Sequence, residues 1–372
     1  MTTKKKIGIV TFNSTKDNYG QVLQYLATQI YLEKRGHDVF LYETKGHRRY
    51  SLIKVYRKIR KILGIKKQLP ISLEEDYEKQ IIFQKWANLT NKYDQEHPRY
   101  FMEFRNTHFH QKQCYYEDLK GVYALGIGSD QTFTCVNENY FLHHLPRGIK
   151  RFSLAASAGH KTFTQSEIDY IAPALHKFDF ITVRESNGLE LCKRCGMNDA
   201  KIVLDPTFLI DADTYNQIAG DSINKHPYIL LYLLGGEIDM QVSKVYKWAK
   251  ERNLNVIYIP SQGREDEYEK CFATIEEWLA YIRDAEYIFT NSFHGMSLAL
   301  IYHKQFLTFP LTGIMKGMNG RIYNLAKQMG VEEHISNSDL TCVQKPINWT
   351  IVEKAIQNNQ KIVNDLLTTI NL

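Results

Sequence analysis

The stretch Ile7-Gly-Ile-Val-Thr-Phe12 and the segment that follows it decide the fold. This apolar run predicts a buried strand, and a polar turn, Asn13-Ser-Thr-Lys-Asp-Asn-Tyr-Gly20, comes directly after it. Residues 21–35 carry apolar side chains at helical spacing, and Gly36 is a natural helix stop. Residues 38–44 read as another strand, so the stretch predicts a βαβ unit of a parallel sheet.

Short apolar runs and helical segments keep alternating along the chain. We therefore predict two α/β domains in tandem, with ligands in the cleft between them at the carboxyl ends of the strands. We place the N-terminal domain at residues 1–175, with an insert at about 45–115, and the C-terminal domain at 176–346. A final helix within 347–372 is expected to pack back on the N-terminal domain. The later predicted strands are Val122–Ile127, Phe152–Ser157, Phe180–Val183, Lys201–Leu204, Tyr228–Leu234, Val256–Ile259, Tyr287–Phe289 and Phe306–Phe309.

The composition is that of a globular protein. Apolar residues make up 44% and charged residues 24% of the 372 residues, with 21 Gly and 9 Pro, which excludes a collagen-like or wholly disordered chain. The sequence shows neither an apolar run of about 18 residues nor a signal-peptide pattern. Six cysteines are too few for a disulfide framework. We therefore expect a cytoplasmic protein with reduced thiols.

The net charge of +6 is concentrated in one segment. Ten Lys or Arg residues and no acidic residue lie between Thr44 and Leu73, so the rest of the chain carries −4. This distribution argues against nucleic acid as the main ligand. The segment also has apolar residues at helical spacing, which leaves two interpretations open. Residues 45–67 either bind an anionic membrane surface or form an ordinary helix packed on its own domain.

The sharpest local signal is Ser292-Phe-His-Gly295, between a strand ending at Phe289 and a predicted helix. Free N–H groups at a helix start attract anions, and Gly295 is expected to let a ligand approach the backbone. His294 can serve as an acid or base near neutral pH. The alternative is a histidine that only caps the helix.

Arg184 ends a predicted strand, where a guanidinium can bind a carboxylate or phosphate with two hydrogen bonds. The alternative is a salt bridge with Glu185 or Asp205.

Two further turns lie at the ligand-facing edge of the sheet. In Gly128-Ser-Asp-Gln131, Asp130 is a candidate to orient or deprotonate a sugar hydroxyl, with Ser129 and Gln131 beside it, or else a helix cap. In the first turn of the chain, Asn18 and Gln21 are candidate substrate-binding residues. No metal site is predicted, because the histidine pairs and Cys192-Lys-Arg-Cys195 lack partners at metal-binding spacing.

Taken in order, these motifs resemble the polysaccharide pyruvyl transferase family over roughly residues 5–335. The resemblance implies a two-domain GT-B-like fold and transfer of the pyruvyl group of phosphoenolpyruvate onto a sugar as a cyclic ketal. It implies no cofactor beyond that co-substrate. The motifs that carry the resemblance are Asn18-Tyr-Gly-Gln-Val-Leu-Gln24, Gly128-Ser-Asp-Gln131, Ala155-Ala-Ser-Ala-Gly159, Val183-Arg-Glu185, Leu204-Asp-Pro206, Ser292-Phe-His-Gly295, Gly320-Arg321 and Asn324-Leu325.

The resemblance also implies roles for residues. Arg184 matches a donor-binding Arg of the family. His294 lies in the segment that has the pattern Arg-x-His-Gly in the family. Ser292 stands where that segment has its Arg, so one positive charge on the donor is missing. The candidates to supply it are Arg321, Arg264 and Lys304.

In this interpretation His294 is the general acid, or a phosphate ligand that protonates the leaving group, and Asp130 orients or deprotonates the sugar hydroxyl. The basic segment suits an acceptor held at the inner face of the plasma membrane by a lipid, such as a precursor of capsule or exopolysaccharide. Two alternatives remain open from the sequence. One is a GT-B-type glycosyltransferase with a nucleotide-sugar donor, and the other is a non-catalytic glycan-binding relative.

Overall fold

The protein is described by a computed structural model. None of the helices it describes is long and apolar enough to cross a membrane. The basic segment at residues 45–67, for which membrane binding and ordinary packing were both left open, lies outside the described residues. These are 4–12, 14–44, 72–114, 119–134, 140–143, 145–159, 162–222, 226–235 and 240–372.

The first domain is built on a parallel sheet of seven described strands. Their order across the sheet is β3-β2-β1-β4-β5-β6-β7, so the strand order reverses beside β1. Strand β1 is buried from its second residue onward and lies between β2 and β4. The strands are β1 (Lys6–Val10), β2 (Asp38–Thr44), β3 (Gln111–Cys114), β4 (Val122–Ile127), β5 (Lys150–Ala156), β6 (Phe180–Val183) and β7 (Lys201–Ile202).

The second domain has a smaller parallel sheet, in the order β11-β10-β8-β9 among its described strands. Strand β8 is apolar along its whole length and pairs on both sides, as the central strand of a doubly covered sheet does. The two-domain α/β fold class predicted from the sequence is confirmed. The strands are β8 (Tyr228–Leu234), β9 (Asn255–Ser261), β10 (Tyr287–Thr290) and β11 (Phe306–Thr308).

Helices connect the strands and cover the sheets. Polar caps begin many of them, including the Thr274–Glu277 capping box at the start of α8. The helices are α1 (Tyr19–Lys34), α2 (Ser72–Glu96), α3 (Phe101–His108), α4 (Gln165–Leu175), α5 (Ser186–Arg194), α6 (Ala212–Asn216), α7 (Val242–Lys250), α8 (Ile275–Asp284), α9 (Phe293–Ile301), α10 (Asn319–Met329) and α11 (Trp349–Thr369).

The predicted domain boundary at residue 176 is wrong. Strands β6 and β7 belong to the first sheet, because Phe180 pairs with Phe152 of β5 and Lys201 pairs with Thr182 of β6. The second sheet starts only at Tyr228. A strand's sequence shows that it is buried in a parallel sheet, but it does not show which of two such sheets it joins.

The C-terminal helix α11 returns to the first domain. Asn359 accepts a hydrogen bond from the N–H of Leu204 at 2.7 Å, and Gln360 donates to the carbonyl of Phe208 at 2.9 Å. Beyond the helix, the carbonyl of Ile370 accepts from the hydroxyl of Tyr123 at 2.8 Å. These contacts tie the end of the chain to β4 and to the segment after β7.

Helix α2 lies within the predicted insert and joins the two domains. Its Trp86 is 8% exposed and packs on two glycines of the second domain, Gly235 and Gly263, which follow β8 and β9. Just beyond the helix, the buried Arg99 donates to the carbonyl of Pro260 at 2.9 Å. The insert therefore fixes the first domain to the strand ends of the second.

Gly263→Ala should destabilise the protein more than an ordinary loop glycine would. The residue has φ +76°, and a Cβ there would lie 2.4 Å from the ring of Trp86. Gly148 has φ +90° with open space around it, so Gly148→Ala carries only the backbone strain, about 1 kcal/mol. We expect Gly263→Ala to cost about 2 kcal/mol more than this control in urea unfolding. If Gly263→Ala and Gly148→Ala lost the same unfolding free energy, the contact of Trp86 with Gly263 would not hold the domains together.

Candidate active site

A cavity of about 400 Å³ lies between the two domains. Its walls are the last residue of β8 and the loops after β1, β4, β9, β10 and β11. These are the carboxyl ends of parallel strands, where open α/β sheets bind ligands. Helix α2 covers one side with Phe83, Trp86, Ala87, Thr90 and Asn91. An apolar wall comes from the segment between β11 and α10, with Leu311, Met315 and Met318, and from Ile322 of α10.

The start of helix α9 borders this cavity. Ser292 is its N-cap, and its hydroxyl accepts a hydrogen bond from the N–H of Gly295 at 3.2 Å. Within the described part of the chain, the N–H groups of Phe293 and His294 have no acceptor. Both residues line the cavity, so this helix start can bind an anion there.

His294 packs directly on the first domain at Gly20. A Cβ at Gly20 would lie 2.0 Å from the imidazole Cγ, so the ring occupies the space that any other residue would fill. The other edge of the ring, at Nε2, lies 3.7 Å from a carboxylate oxygen of Asp205. That nitrogen is buried and has no hydrogen-bond partner among the described residues.

Asp205 is the centre of a buried polar cluster. It is fully buried and follows β7. One carboxylate oxygen accepts from Arg184 at 2.6 Å and from the hydroxyl of Ser129 at 2.8 Å. The other accepts from the N–H and hydroxyl of Thr207 at 3.0 and 2.9 Å. Four hydrogen bonds therefore hold one charge at the point where β4, β6 and β7 end.

The cluster shifts the pKa of its members. Burial alone would raise the pKa of Asp205, but His294, the guanidinium of Arg184 and the N–H of Thr207 outweigh burial and hold the pKa well below its ordinary value. Burial opposes the charge of Arg184, yet Asp205, Glu185 and Asp130 raise its pKa. Both groups therefore stay charged at neutral pH, and the cluster is a fixed set of charges behind the cavity wall.

Arg321 brings a positive charge to the cavity from helix α10. It is 9% exposed, and its guanidinium lies 3.6 Å from Asp130 Oδ1. Burial and the neighbouring Arg184 lower its pKa. The guanidinium carbons of Arg184 and Arg321 lie 4.6 and 5.9 Å from the ring centre of Phe293, so the two cations flank the start of α9.

Six of the ten predicted site residues line the cavity. They come from both domains, which places the predicted acid and the predicted sugar-orienting carboxylate around one space. Asp130 also accepts from Gln21 at 3.4 Å, which places Gln21 one contact behind the wall. The six lining residues are Asn18, Asp130, Gln131, Ser292, His294 and Arg321.

Arg184 makes the salt bridges with Glu185 and Asp205 that the sequence left open as its alternative role. It is 3% exposed and engaged with three carboxylates, those of Asp205, Glu185 and Asp130, and it does not line the cavity. Its guanidinium therefore lies behind the cavity wall, 3.5 Å from the carboxylate of Asp130. Ser129 is likewise fully buried behind the wall and donates to Asp205.

Gly295 has a packing role in place of the predicted role in ligand approach. A Cβ there would lie 2.6 Å from the hydroxyl of Thr290 and 3.1 Å from the ring of Tyr232. The missing side chain therefore lets α9 lie close against β10 and β8.

Of the three candidates for the missing positive charge, one lines the cavity. Arg321 does so, whereas Arg264 is engaged with Asp266 at 3.0 Å and with the hydroxyl of Tyr258 at 2.6 Å. Lys304 follows the opposite end of α9, and burial lowers its pKa. Position in the sequence could not separate these three cations.

Asp17 was missed by the sequence reasoning. It lines the cavity, and its carboxylate accepts from the hydroxyl of Thr90 at 2.8 Å and from the N–H of Gln262 at 2.7 Å. Its carbonyl accepts from Ser261 at 2.8 Å. Asp17 thus joins the loop after β1 to helix α2 and to the end of β9. Its partners are distant in sequence, so no local pattern marks it.

Cys192 and Cys195 are structural. Both are buried in or beside helix α5, and burial raises the pKa of their thiols to about 12 and about 11. Across the described residues, no group of three His, Cys, Asp or Glu side chains is arranged to hold a metal ion.

A family model for polysaccharide pyruvyl transferases matches residues 18–311, which is most of the chain. The chain belongs to this family. Membership supports a transferase that modifies polysaccharide, and the matched range contains the cavity-lining residues from Asn18 to Leu311. No curated protein sequence matches the chain significantly.

Solved structures of similar topology include two UDP-GlcNAc 2-epimerases. The one from Neisseria meningitidis, bound to UDP-GlcNAc, is 12% identical with a TM-score of 0.48 and covers 98% of this chain and 100% of its own. The one from Methanocaldococcus jannaschii is 12% identical with a TM-score of 0.46, covering 98% and 99%. S. aureus TarM, crystallised with UDP, is 9% identical with a TM-score of 0.43, covering 99% and 100%.

Asp205→Asn should destabilise the protein by about 3–5 kcal/mol at pH 7, because Arg184 then loses its closest carboxylate partner in a buried site. The carboxylate's depressed pKa means that its contribution is complete above about pH 4, the unfolded Asp value, and is lost as the pH falls further. The difference between wild type and variant should therefore shrink below about pH 4.

Urea unfolding at pH 7, 4 and 3 measures this difference. The control is Asp211→Asn, which replaces the N-cap of α6 with another good cap and should change the free energy of unfolding by less than about 0.5 kcal/mol. If the difference in unfolding free energy between wild type and Asp205→Asn stayed constant across the three pH values, the assigned role of the Asp205 charge would be contradicted.

Proposed function

We propose that the protein transfers the pyruvyl group of phosphoenolpyruvate onto a sugar of a cell-surface polysaccharide precursor, forming a cyclic ketal. The observation that carries this proposal is the meeting of Arg321, the unpaired N–H groups of Phe293 and His294, and Asp130 around one cavity. The family match supports the reaction class.

The donor's charges suit one wall of the cavity. Phosphoenolpyruvate carries a carboxylate and a phosphate, and both are bound well by a guanidinium and by free N–H groups at a helix start. Arg321 and the first turn of α9 both belong to the second domain, and the guanidinium carbon of Arg321 lies 5.9 Å from the ring centre of Phe293 in that turn. We therefore place the donor against the second domain.

His294 is the proton donor in this proposal. A proton passes from its imidazole to the methylene carbon of phosphoenolpyruvate, which leaves an oxocarbenium-like centre at C2. One sugar hydroxyl adds to C2 and its proton restores the imidazolium of His294. The bond between C2 and the phosphate oxygen then breaks, and a second hydroxyl of the same sugar adds to C2 and closes the ketal ring, its proton leaving with the phosphate as hydrogen phosphate. A protonated His294 is balanced by the carboxylate of Asp205 at 3.7 Å.

Asp130 is placed to orient the sugar. It extends into the cavity from the first domain, while Arg184, Arg321 and Gln21 hold its carboxylate at 3.5, 3.6 and 3.4 Å. A carboxylate fixed in this way can accept a hydrogen bond from one attacking hydroxyl. The acceptor therefore binds between the donor and the first domain.

His294→Ala should lower phosphate release from phosphoenolpyruvate by at least about 100-fold, because the variant lacks the proton donor. The assay uses the surface polysaccharide of the cell that makes the protein as the acceptor and measures inorganic phosphate. The control is His303→Ala, since His303 follows the far end of the same helix, is 43% exposed at its side chain and stacks on Trp349.

The proposal expects near-normal turnover for His303→Ala. Normal turnover for His294→Ala would contradict the role of His294. A wild-type protein that is stabilised against heat by a nucleotide-sugar and not by phosphoenolpyruvate would contradict the donor.

A further inference from the structure

The donor proposed above needs more positive charge than the cavity's second-domain wall supplies. The guanidinium of Arg184 is engaged with Asp205 at 2.6 Å behind the wall. Arg321 faces the cavity, but the carboxylate of Asp130 at 3.6 Å offsets part of its charge. A ligand with a carboxylate and a phosphate therefore leaves at least one negative charge without a cationic partner.

Lys16 is the other Lys or Arg side chain that lines the cavity among the described residues. It lies on the loop after β1, so it faces the cavity from the first domain, opposite Arg321 of the second. Its Nζ makes a salt bridge of 2.9 Å with Asp94 of helix α2. Asp94 lines a smaller recess of about 220 Å³ that shares Thr15 and Lys16 with the cavity, so Lys16 stands at the border of the two spaces.

Hydrogen bonds hold the backbone around Lys16, whereas its side chain is largely exposed to solvent. The hydroxyl of Thr15 accepts from the N–H groups of Asp17 and Asn18 at 3.3 and 3.0 Å, and Asp17 is anchored to helix α2 and to β9. The side chains of Lys16 and Asp94 are 51% and 27% exposed. An ion pair this exposed contributes only about 0–1 kcal/mol, so exchanging its partner costs little.

We infer that Lys16 is a donor-binding residue: its ammonium leaves Asp94 and binds the phosphate or carboxylate of phosphoenolpyruvate. Asp94 is then the partner that holds the ammonium while the cavity is empty. This inference rests on the proposed function, since it names phosphoenolpyruvate as the ligand. It also implies that the donor is held by both domains.

The test is the dissociation constant of phosphoenolpyruvate, measured by isothermal titration calorimetry on the full chain. Lys16→Met should weaken binding about tenfold, because a charge-assisted hydrogen bond is lost, and Lys16→Arg should restore most of it. Asp94→Asn should tighten binding about two- to threefold, because the competing carboxylate is gone. The double variant should bind like Lys16→Met.

The opposite signs separate this role from a structural one. If the ion pair served only to hold the loop on α2, Lys16→Met and Asp94→Asn would both break it and would weaken binding together. The matched control is Lys85→Met, which removes another exposed lysine of an ion pair, with Glu265 at 3.9 Å, outside the cavity lining. It should leave the dissociation constant unchanged.

The possible failures are distinguishable. If wild-type protein does not bind phosphoenolpyruvate, the proposed donor is wrong and this inference falls with it. If wild type binds and Lys16→Met binds equally well, or if Asp94→Asn weakens binding, the donor stands and the role of Lys16 is refuted.

Discussion

The buried carboxylate of Asp205 is the interaction on which the site depends. A buried charge must be compensated by the protein. Arg184 and Ser129, which follow β6 and β4, and Thr207 from the same loop as Asp205 all donate hydrogen bonds to this carboxylate. His294 lies beside the same carboxylate and on the backbone of Gly20. The Asp205 carboxylate therefore fixes both the strand ends of the first sheet and the position of His294, the candidate acid.

The opposite side of the cavity is closed by a second set of interdomain contacts. Trp86 fits against two glycines with positive φ, and Asp17 joins the first loop, helix α2 and the end of β9. These contacts hold the cavity walls at a fixed separation. Preorganised walls of this kind are what a reaction driven by positioning and charge stabilisation requires.

Much of this arrangement could be predicted from the sequence, because strand and helix periods are local properties. The strands at Phe180–Val183 and Tyr228–Leu234 are observed at the predicted positions. The domain boundary could not be predicted, since β6 carries no sign of which sheet it joins. The family resemblance located His294, but its packing on Gly20 joins residues far apart in the chain.

The role of Arg184 shows the same limit. Its place at a strand end is a local property, whereas the convergence of three carboxylates on it depends on the tertiary structure. A crystal structure with phosphoenolpyruvate tests the account most directly. We expect the phosphate and carboxylate to lie within hydrogen-bond distance of Arg321 and of the N–H groups of Phe293 and His294. Density for the ligand outside this interdomain cavity, with the cavity left empty, would contradict the account.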